Sequence, residues 1–239
     1  MKYGDFLIQR DLTFDIKRGD IFVIMGGSGC GKSTLLKHLV GLVTPSQGRV
    51  LYDGVSFWDS SREEREVLLR GAGILYQKGA LWTSMTLAEN VAMPLRQYTE
   101  FSEREIDEIV SYKLALVGLS GFEEYYPSEI SGGMQKRAGL ARAMALDPEV
   151  LFLDEPSAGL DPISSKLLDD LILELNRGLG ATIVVVTHEL PSIFAIGTNS
   201  VFLDAESKTM IAAGAPGELL RSSRDPRIIR FLTRGEREA

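Results

Sequence analysis

Three apolar runs carry no polar interruption: Ile21-Phe22-Val23-Ile24-Met25, Val150-Leu151-Phe152-Leu153 and Ile183-Val184-Val185-Val186. Strands covered on both faces of a parallel sheet read this way, because no position alternates out to water. Helical spacing fills the intervals. Lys32 to Leu42 is predicted as a helix with Leu35, Leu36, Leu39 and Val40 toward the core and Gly41 near its end. Asp161-Pro162 opens another helix, with proline at the first position. Ile163, Leu167, Leu168, Leu171 and Leu175 are expected on its buried side. Arg49 to Tyr52 reads as a strand between turn residues, Ser61 to Leu69 as a charged surface helix, and Gly73 to Gln77 as a strand running into a loop.

From about Leu81 to Leu146 the pattern turns helical. Ser102 and Glu105 form a capping-box pair ahead of Ile106, Ile109, Val110 and Leu114. A further helix is expected from about Met134 to Leu146. The alternation of strand and helix predicts an α/β fold with a mostly parallel sheet. The expected organisation is a core of residues 1–80 and 147–220, an inserted helical subdomain of 81–146, and a C-terminal extension of 221–239.

Composition narrows the reading. The chain has 239 residues, 44% hydrophobic and 25% charged, with a net charge of −7. That is an ordinary globular balance and gives no basic face for nucleic acid. No stretch reaches the roughly 18 apolar residues of a membrane span, and no apolar signal region opens the chain. A cytosolic location is expected, with any membrane role exercised through a partner. The single cysteine, Cys30, cannot form an internal disulfide and is read as a loop filler rather than a redox group.

The densest chemistry follows the first apolar run. Gly26-Gly27-Ser28-Gly29-Cys30-Gly31-Lys32-Ser33 fits G-x-x-x-x-G-K-[ST] between a predicted strand and a predicted helix. Such a loop converges backbone N–H groups and a helix N-terminus on phosphate oxygens. Lys32 would reach the outer phosphates, and the Ser33 hydroxyl would ligate Mg²⁺. Asp154-Glu155 closes the second apolar run, at the strand end where open α/β sheets bind ligands. Asp154 is assigned to Mg²⁺ beside Ser33, and Glu155 to polarising the attacking water. His188 emerges after the third run and is assigned to the γ-phosphate, while His38 is read as structural. Gln77 ends its own strand and is assigned to Mg²⁺ or the attacking water. Ile130-Ser131-Gly132-Gly133-Met134-Gln135 places a second anion-type helix start in the chain. Two such sites make sense if two copies pack head to tail, each nucleotide lying between the cradle of one and the Ser-Gly-Gly end of the other.

In this order the motifs resemble the ATP-binding subunit of an ABC transporter. Gly26 to Ser33 resembles Walker A, Gln77 the Q-loop and Ile130 to Gln135 the family signature. Val150 to Glu155 resembles Walker B, Ser157 to Asp161 the D-loop, and His188 the switch histidine. The resemblance implies a P-loop NTPase core with an antiparallel β region and a helical subdomain. It also implies ATP contacts from Tyr3, which would stack on adenine, and from Gly26, Gly27, Ser28, Gly29, Cys30, Gly31, Lys32, Ser33 and Thr34. From the second copy, Ser131, Gly132, Gly133, Gln135 and Asp161 would join them. Mg²⁺ would be held by Ser33, Gln77 and Asp154. The family places a short strand before the adenine-stacking aromatic, so a truncated N-terminus and an incomplete first sheet edge are expected.

Three segments are similar to the Mla-type ATPases associated with MCE proteins: Gly79 to Leu95, Ser131 to Ala138, and Asp225 to Leu232. That resemblance implies phospholipid or another hydrophobic cargo. It implies a homodimer beneath an integral membrane permease at the cytoplasmic face of the inner membrane, with an MCE-type substrate-binding protein and no nucleic acid. Trp82, Met85 and Leu87 are expected to line the permease groove or to belong to the core. The cluster Ile228, Ile229, Phe231 and Leu232 either covers its own domain or crosses to the second copy. The alternatives are an ABC ATPase for another cargo and a non-transport ABC ATPase.

Overall fold

The computed structural model describes residues 1–77 and 79–235, and the Tyr3 side chain lies outside that description. Strands β1 (Lys2–Tyr3) and β2 (Phe6–Leu7) pair as a small hairpin, as do β4 (Leu51–Tyr52) and β5 (Val55–Ser56). The central sheet consists of β3 (Ile21–Gly26), β6 (Ala72–Leu75), β7 (Val150–Asp154), β8 (Thr182–Val186), β9 (Asn199–Asp204) and β10 (Thr209–Ala213). Its order is β10-β9-β3-β8-β7-β6, parallel except for the β9–β10 pair.

The three apolar runs are the three central strands, and β3 shows why none of its positions is polar. Its side chains alternate between faces. Phe22 and Ile24 join the cluster under helix α1 (Lys32–Leu39), while Val23 and Met25 meet α7 (Leu190–Ile196), α8 (Pro216–Ser222) and α9 (Pro226–Leu232). Both faces are dry, so both sets of positions are apolar.

Helices α3 (Leu87–Tyr98), α4 (Glu103–Leu116) and α5 (Gly132–Ala143) fill the middle of the chain, with α2 (Arg62–Arg70) before them and α6 (Pro162–Leu179) after. Capping boxes start α2 at Ser61/Glu64, α3 at Thr86/Glu89 and α4 at Ser102/Glu105. One apolar cluster joins α3, α4 and α5 to α6 and to Leu75, Leu151, Leu153 and Ile183 of the sheet. Buried Asn90 ties down the segment after β6. Its side chain accepts from the Trp82 N–H at 2.8 Å and donates to the Trp82 and Met85 carbonyls at 3.1 and 3.2 Å.

Several sequence expectations need correction. Ile163 and Leu167 are 75% and 57% exposed, not buried. At about 100° per residue both lie some 90° or more around α6 from the face that Leu168, Leu171, Ile172 and Leu175 turn to the sheet. Helix α1 stops at Leu39 rather than Leu42. Gly41 follows at φ +72°, and the Phe57 ring lies 2.3 Å from where a Cβ would stand, so a glycine there both ends the helix and admits the ring. Helix α5 runs from Gly132 to Ala143, earlier at both ends than expected, because Ser131 caps it by accepting from the Met134 N–H. The Arg49–Tyr52 strand contracts to Leu51–Tyr52, and Leu87 is fully buried core rather than groove lining, whereas Trp82 is exposed. In the tail, Ile228 and Leu232 are buried against Val23 and Met25. The Phe231 ring meets Phe202 edge-on at 5.1 Å. Helix α9 therefore covers its own domain, while residues 236–239 lie outside the described residues. Among the described residues no helix is long and apolar enough to cross a membrane.

Candidate active site

Parallel register brings the chemistry to one sheet edge. Ile24 and Asp154 both pair with Val186, and Leu75 pairs with Leu153, so β3, β6, β7 and β8 end together. The loop after β3 depends on glycine at two points. At Gly26 (φ +148°) a Cβ would lie 2.2 Å from the Leu203 carbonyl oxygen, and at Gly31 (φ +97°) 2.7 Å from Ile8. Gly31 is the N-cap of α1 and offers no side-chain cap. The first-turn N–H groups thus keep the anion-accepting character of an open helix end. Lys32 lies back in the loop, where its ammonium donates to the Gly26 and Gly27 carbonyls at 2.9 Å each. The Cys30 thiol is buried, and burial pushes its pKa up, as befits a filler. His38 is buried with Nδ1 2.7 Å from the Val43 carbonyl oxygen, a structural contact.

Beside the loop, the Ser33 hydroxyl donates to Asp154 Oδ1 at 3.2 Å. Burial pushes the Asp154 carboxyl above its ordinary range, and the Ser33 hydroxyl pulls the other way. Glu155 sits at φ +48°, a backbone conformation that costs a non-glycine residue energy and persists only where surroundings enforce it. Three contacts enforce it. Its N–H donates to the Val186 carbonyl at 2.8 Å, its Oε1 lies 2.7 Å from His188 Nδ1, and its carbonyl accepts from the Lys136 ammonium at 3.1 Å. Its second carboxylate oxygen, Oε2, is buried without a partner. An orphaned carboxylate oxygen next to a phosphate-type loop is aimed at something the protein itself does not supply.

A cavity of about 1000 Å³ joins these groups. Gly26, Gly27, Ser28, Gly29, Gly31, Lys32, Ser33 and Thr34 line it, together with Gln77, Glu155 and His188. The remaining assigned residues do not. Ser131 caps α5, Gln135 donates to the Pro127 carbonyl at 2.8 Å, and Asp161 caps α6 by accepting from the Ile163 and Ser164 N–H groups at 3.0 Å. Gly133 lies against Ser164, so the N-terminal ends of α5 and α6 sit side by side, with Ser131, Gly132 and Asp161 exposed to solvent.

Sequence reasoning missed Lys136 and Gln9. Lys136 reads as a surface helix cation, yet it is 6% exposed and donates to the carbonyls of both Gln77 and Glu155. Burial pushes its pKa down, opposed by the charges of Glu155 and Asp154. Gln9 is fully buried and donates to the carbonyls of Cys30 and Asp204, bracing the loop from behind. No local pattern marks either residue. Among the described residues no cluster of three or more His, Cys, Asp or Glu side chains is placed to hold a metal alone. The Ser33 hydroxyl and Asp154 carboxylate are hard oxygen donors that fit a cation taking its other ligands from phosphate and water.

Residues 9–158 match the family model for the ABC transporter. The chain is 43% identical over 230 residues to the probable ribonucleotide transport ATP-binding protein mkl of Mycobacterium leprae, covering 96% of this chain but 65% of that protein's length. It is 42% identical over 231 residues to the intermembrane phospholipid transport system ATP-binding protein MlaF of Haemophilus influenzae, covering 97% of this chain and 86% of that one. Its fold matches a solved ATP-binding cassette, in a dimeric post-hydrolysis state bound to ADP and Pi, at a TM-score of 0.78 and 29% identity, covering 87% of this chain and 90% of that one.

Proposed function

We propose that this chain, which belongs to the ABC transporter family, is the ATP-hydrolysing subunit of a transporter for phospholipid or other hydrophobic cargo. It would work as a homodimer beneath a membrane permease, at the cytoplasmic face of the inner membrane and with an MCE-type substrate-binding protein. The phospholipid transport system to which the Haemophilus influenzae relative MlaF belongs, at 42% identity, supports the cargo class. The dimeric state of the related cassette supports the homodimer.

The loop Gly26 to Gly31 and the open end of α1 hold the phosphates, with Ser28, Gly29 and Thr34 lining the same wall. Lys32 exchanges its two carbonyl acceptors for phosphate oxygens, which match its charge better. Ser33, Asp154 and Gln77 would hold Mg²⁺, which neutralises phosphate charge when bound. Glu155 takes the proton of the attacking water on Oε2, since Oε1 is occupied by His188. His188 fixes that carboxylate through Nδ1, and its Nε2, now 3.8 Å from Glu189 Oε1, would turn to the γ-phosphate. Tyr3 stacks on the adenine. Ser131, Gly132, Gly133, Gln135 and Asp161 of a second copy close the site from the other side.

The observation that carries this reading is Glu155: it lines the phosphate cavity, three contacts hold its backbone at φ +48°, and its Oε2 is buried without a partner. Glu155→Gln keeps the shape and removes the base. It is expected to bind ATP as the native chain does and to hydrolyse it about a hundred- to ten-thousandfold more slowly. Steady-state phosphate release with a parallel ATP-binding titration checks this, and native turnover in the variant would remove Glu155 from the role.

A further inference from the structure

The cavity has a wall that the roles above leave unused. Helix α9 and the turn after it contribute Arg227, Arg230, Phe231 and Arg234 to the lining. The helix is fixed there by more than proximity. Ile228 and Leu232 are buried, Phe231 packs on Phe202, and Arg227 donates to Asp204 Oδ2 at 2.9 Å and to Asp225 Oδ2 at 2.6 Å. Asp204 ends β9, and its carbonyl shares the Gln9 amide with Cys30 of the phosphate loop. Arg227 is therefore a bolt, and it sets the register of the residues beyond it. One turn on, Arg230 and Arg234 are exposed and face the cavity.

Charge makes the arrangement informative. The chain carries a net charge of −7. Yet among the described residues the charged ones lining this cavity are the cations Lys32, Arg227, Arg230 and Arg234 against the carboxylates Glu155 and Asp204. An acidic protein has gathered guanidinium groups around the cavity that contains its phosphate-type loop. Guanidinium presents a planar fork of donors that matches phosphate, and it stays charged at every working pH.

We infer that Arg230 of the C-terminal helix and Arg234 of the turn after it bind the phosphate charge of the nucleotide held by the same chain, making this segment a wall of its own ATP site. The inference rests on the nucleotide reading of the cavity given above. Exposure screens such contacts below the strength of a buried pair. Charge-assisted hydrogen bonds still lead to an expected Kd about five- to twentyfold higher in Arg230→Ala/Arg234→Ala.

Calorimetric titration of the full chain with a non-hydrolysable ATP analogue, ADP and adenosine tests it. The double variant is expected to lose affinity for the ATP analogue and ADP but not for adenosine. Arg230→Lys/Arg234→Lys should retain most of the affinity, and Arg221→Ala, a cation of α8 outside the cavity, should match the native chain. Unchanged affinity for the phosphorylated nucleotides overturns the inference, and an equal loss for adenosine overturns it too. Native nucleotide binding with weakened self-association would assign the arginines to a second copy, again overturning it. Lys32→Ala, titrated in parallel, separates the two levels. If that variant also binds like the native chain, the nucleotide reading itself fails.

Discussion

Burial, with the Glu155 charge behind it, pushes the Asp154 carboxyl up because the charged form is taken out of water, and the Ser33 hydroxyl and the charges of Lys37 and Lys136 compensate only in part. A carboxylate whose folded pKa lies above its unfolded one destabilises the fold once both states are ionised. Stability falls as pH rises through the interval between the two values, and the full penalty stands at neutral pH. Asp154→Asn removes that penalty while keeping an acceptor for Ser33. The variant is expected to melt at a higher temperature than the native chain at pH 7 without nucleotide, with the difference vanishing below the ordinary Asp range. Its Mg²⁺ affinity should fall by more than the about 10- to 100-fold typical of losing an outer supporting group. Differential scanning calorimetry across pH, beside a Mg²⁺ titration of turnover, reads both; a variant less stable at pH 7 would contradict the argument. Glu155 shows the same trade in backbone form: three contacts hold its positive φ, and its Oε2 is left buried without a partner.

Among the elements, α5 does work that its sequence hides. Its first turn carries the Ser-Gly-Gly end, and its second turn sends the Lys136 ammonium into the protein to the carbonyls of Gln77 and Glu155. A movement of α5 is thereby passed to two groups of the cavity wall. Lys136→Met leaves both carbonyls without that donor. It is expected to lower kcat about ten- to hundredfold, the scale of a small misplacement of reacting groups, with nucleotide affinity little changed. A KM-against-kcat split in the ATPase assay checks it, and Lys136→Gln, which keeps a donor, should recover part of the loss. What was legible beforehand follows the same physics. Strands β3, β7 and β8 were readable because both faces are dry, and the loop of Gly26 to Ser33 because its chemistry is local in sequence. Ile163 and Leu167 were misread because apolar spacing on a helix does not say how wide its buried face is. Lys136, Gln9 and Arg227 were invisible because each acts through a contact distant in sequence, 59 residues in the case of Lys136 and Gln77.

For the whole molecule, the decisive feature is the separation between two anion-type helix ends. The open end of α1 lines the cavity, while Ser131 and Gly132 sit exposed at the start of α5, outside that lining. Within one chain the second end lies outside the lining of the phosphate cavity, and on the proposed head-to-tail pairing a second copy would bring its phosphate there. ATP closes such a pair only to the extent that it binds the closed form better than the open one. Moving from mostly open to mostly closed takes about 5.5 kcal/mol, which two to four charge-assisted hydrogen bonds of about 1.5–3 kcal/mol across the junction can supply. A side chain that blocks the Ser131 end should remove that differential without touching the cavity. Ser131→Arg, made on the Glu155→Gln background so that ATP persists, is therefore expected to bind ATP with native affinity while remaining monomeric. Glu155→Gln alone should become dimeric on adding ATP. Light scattering with and without ATP distinguishes them, and a Ser131→Arg chain that dimerises as readily as its parent would move the closing contact away from this helix end.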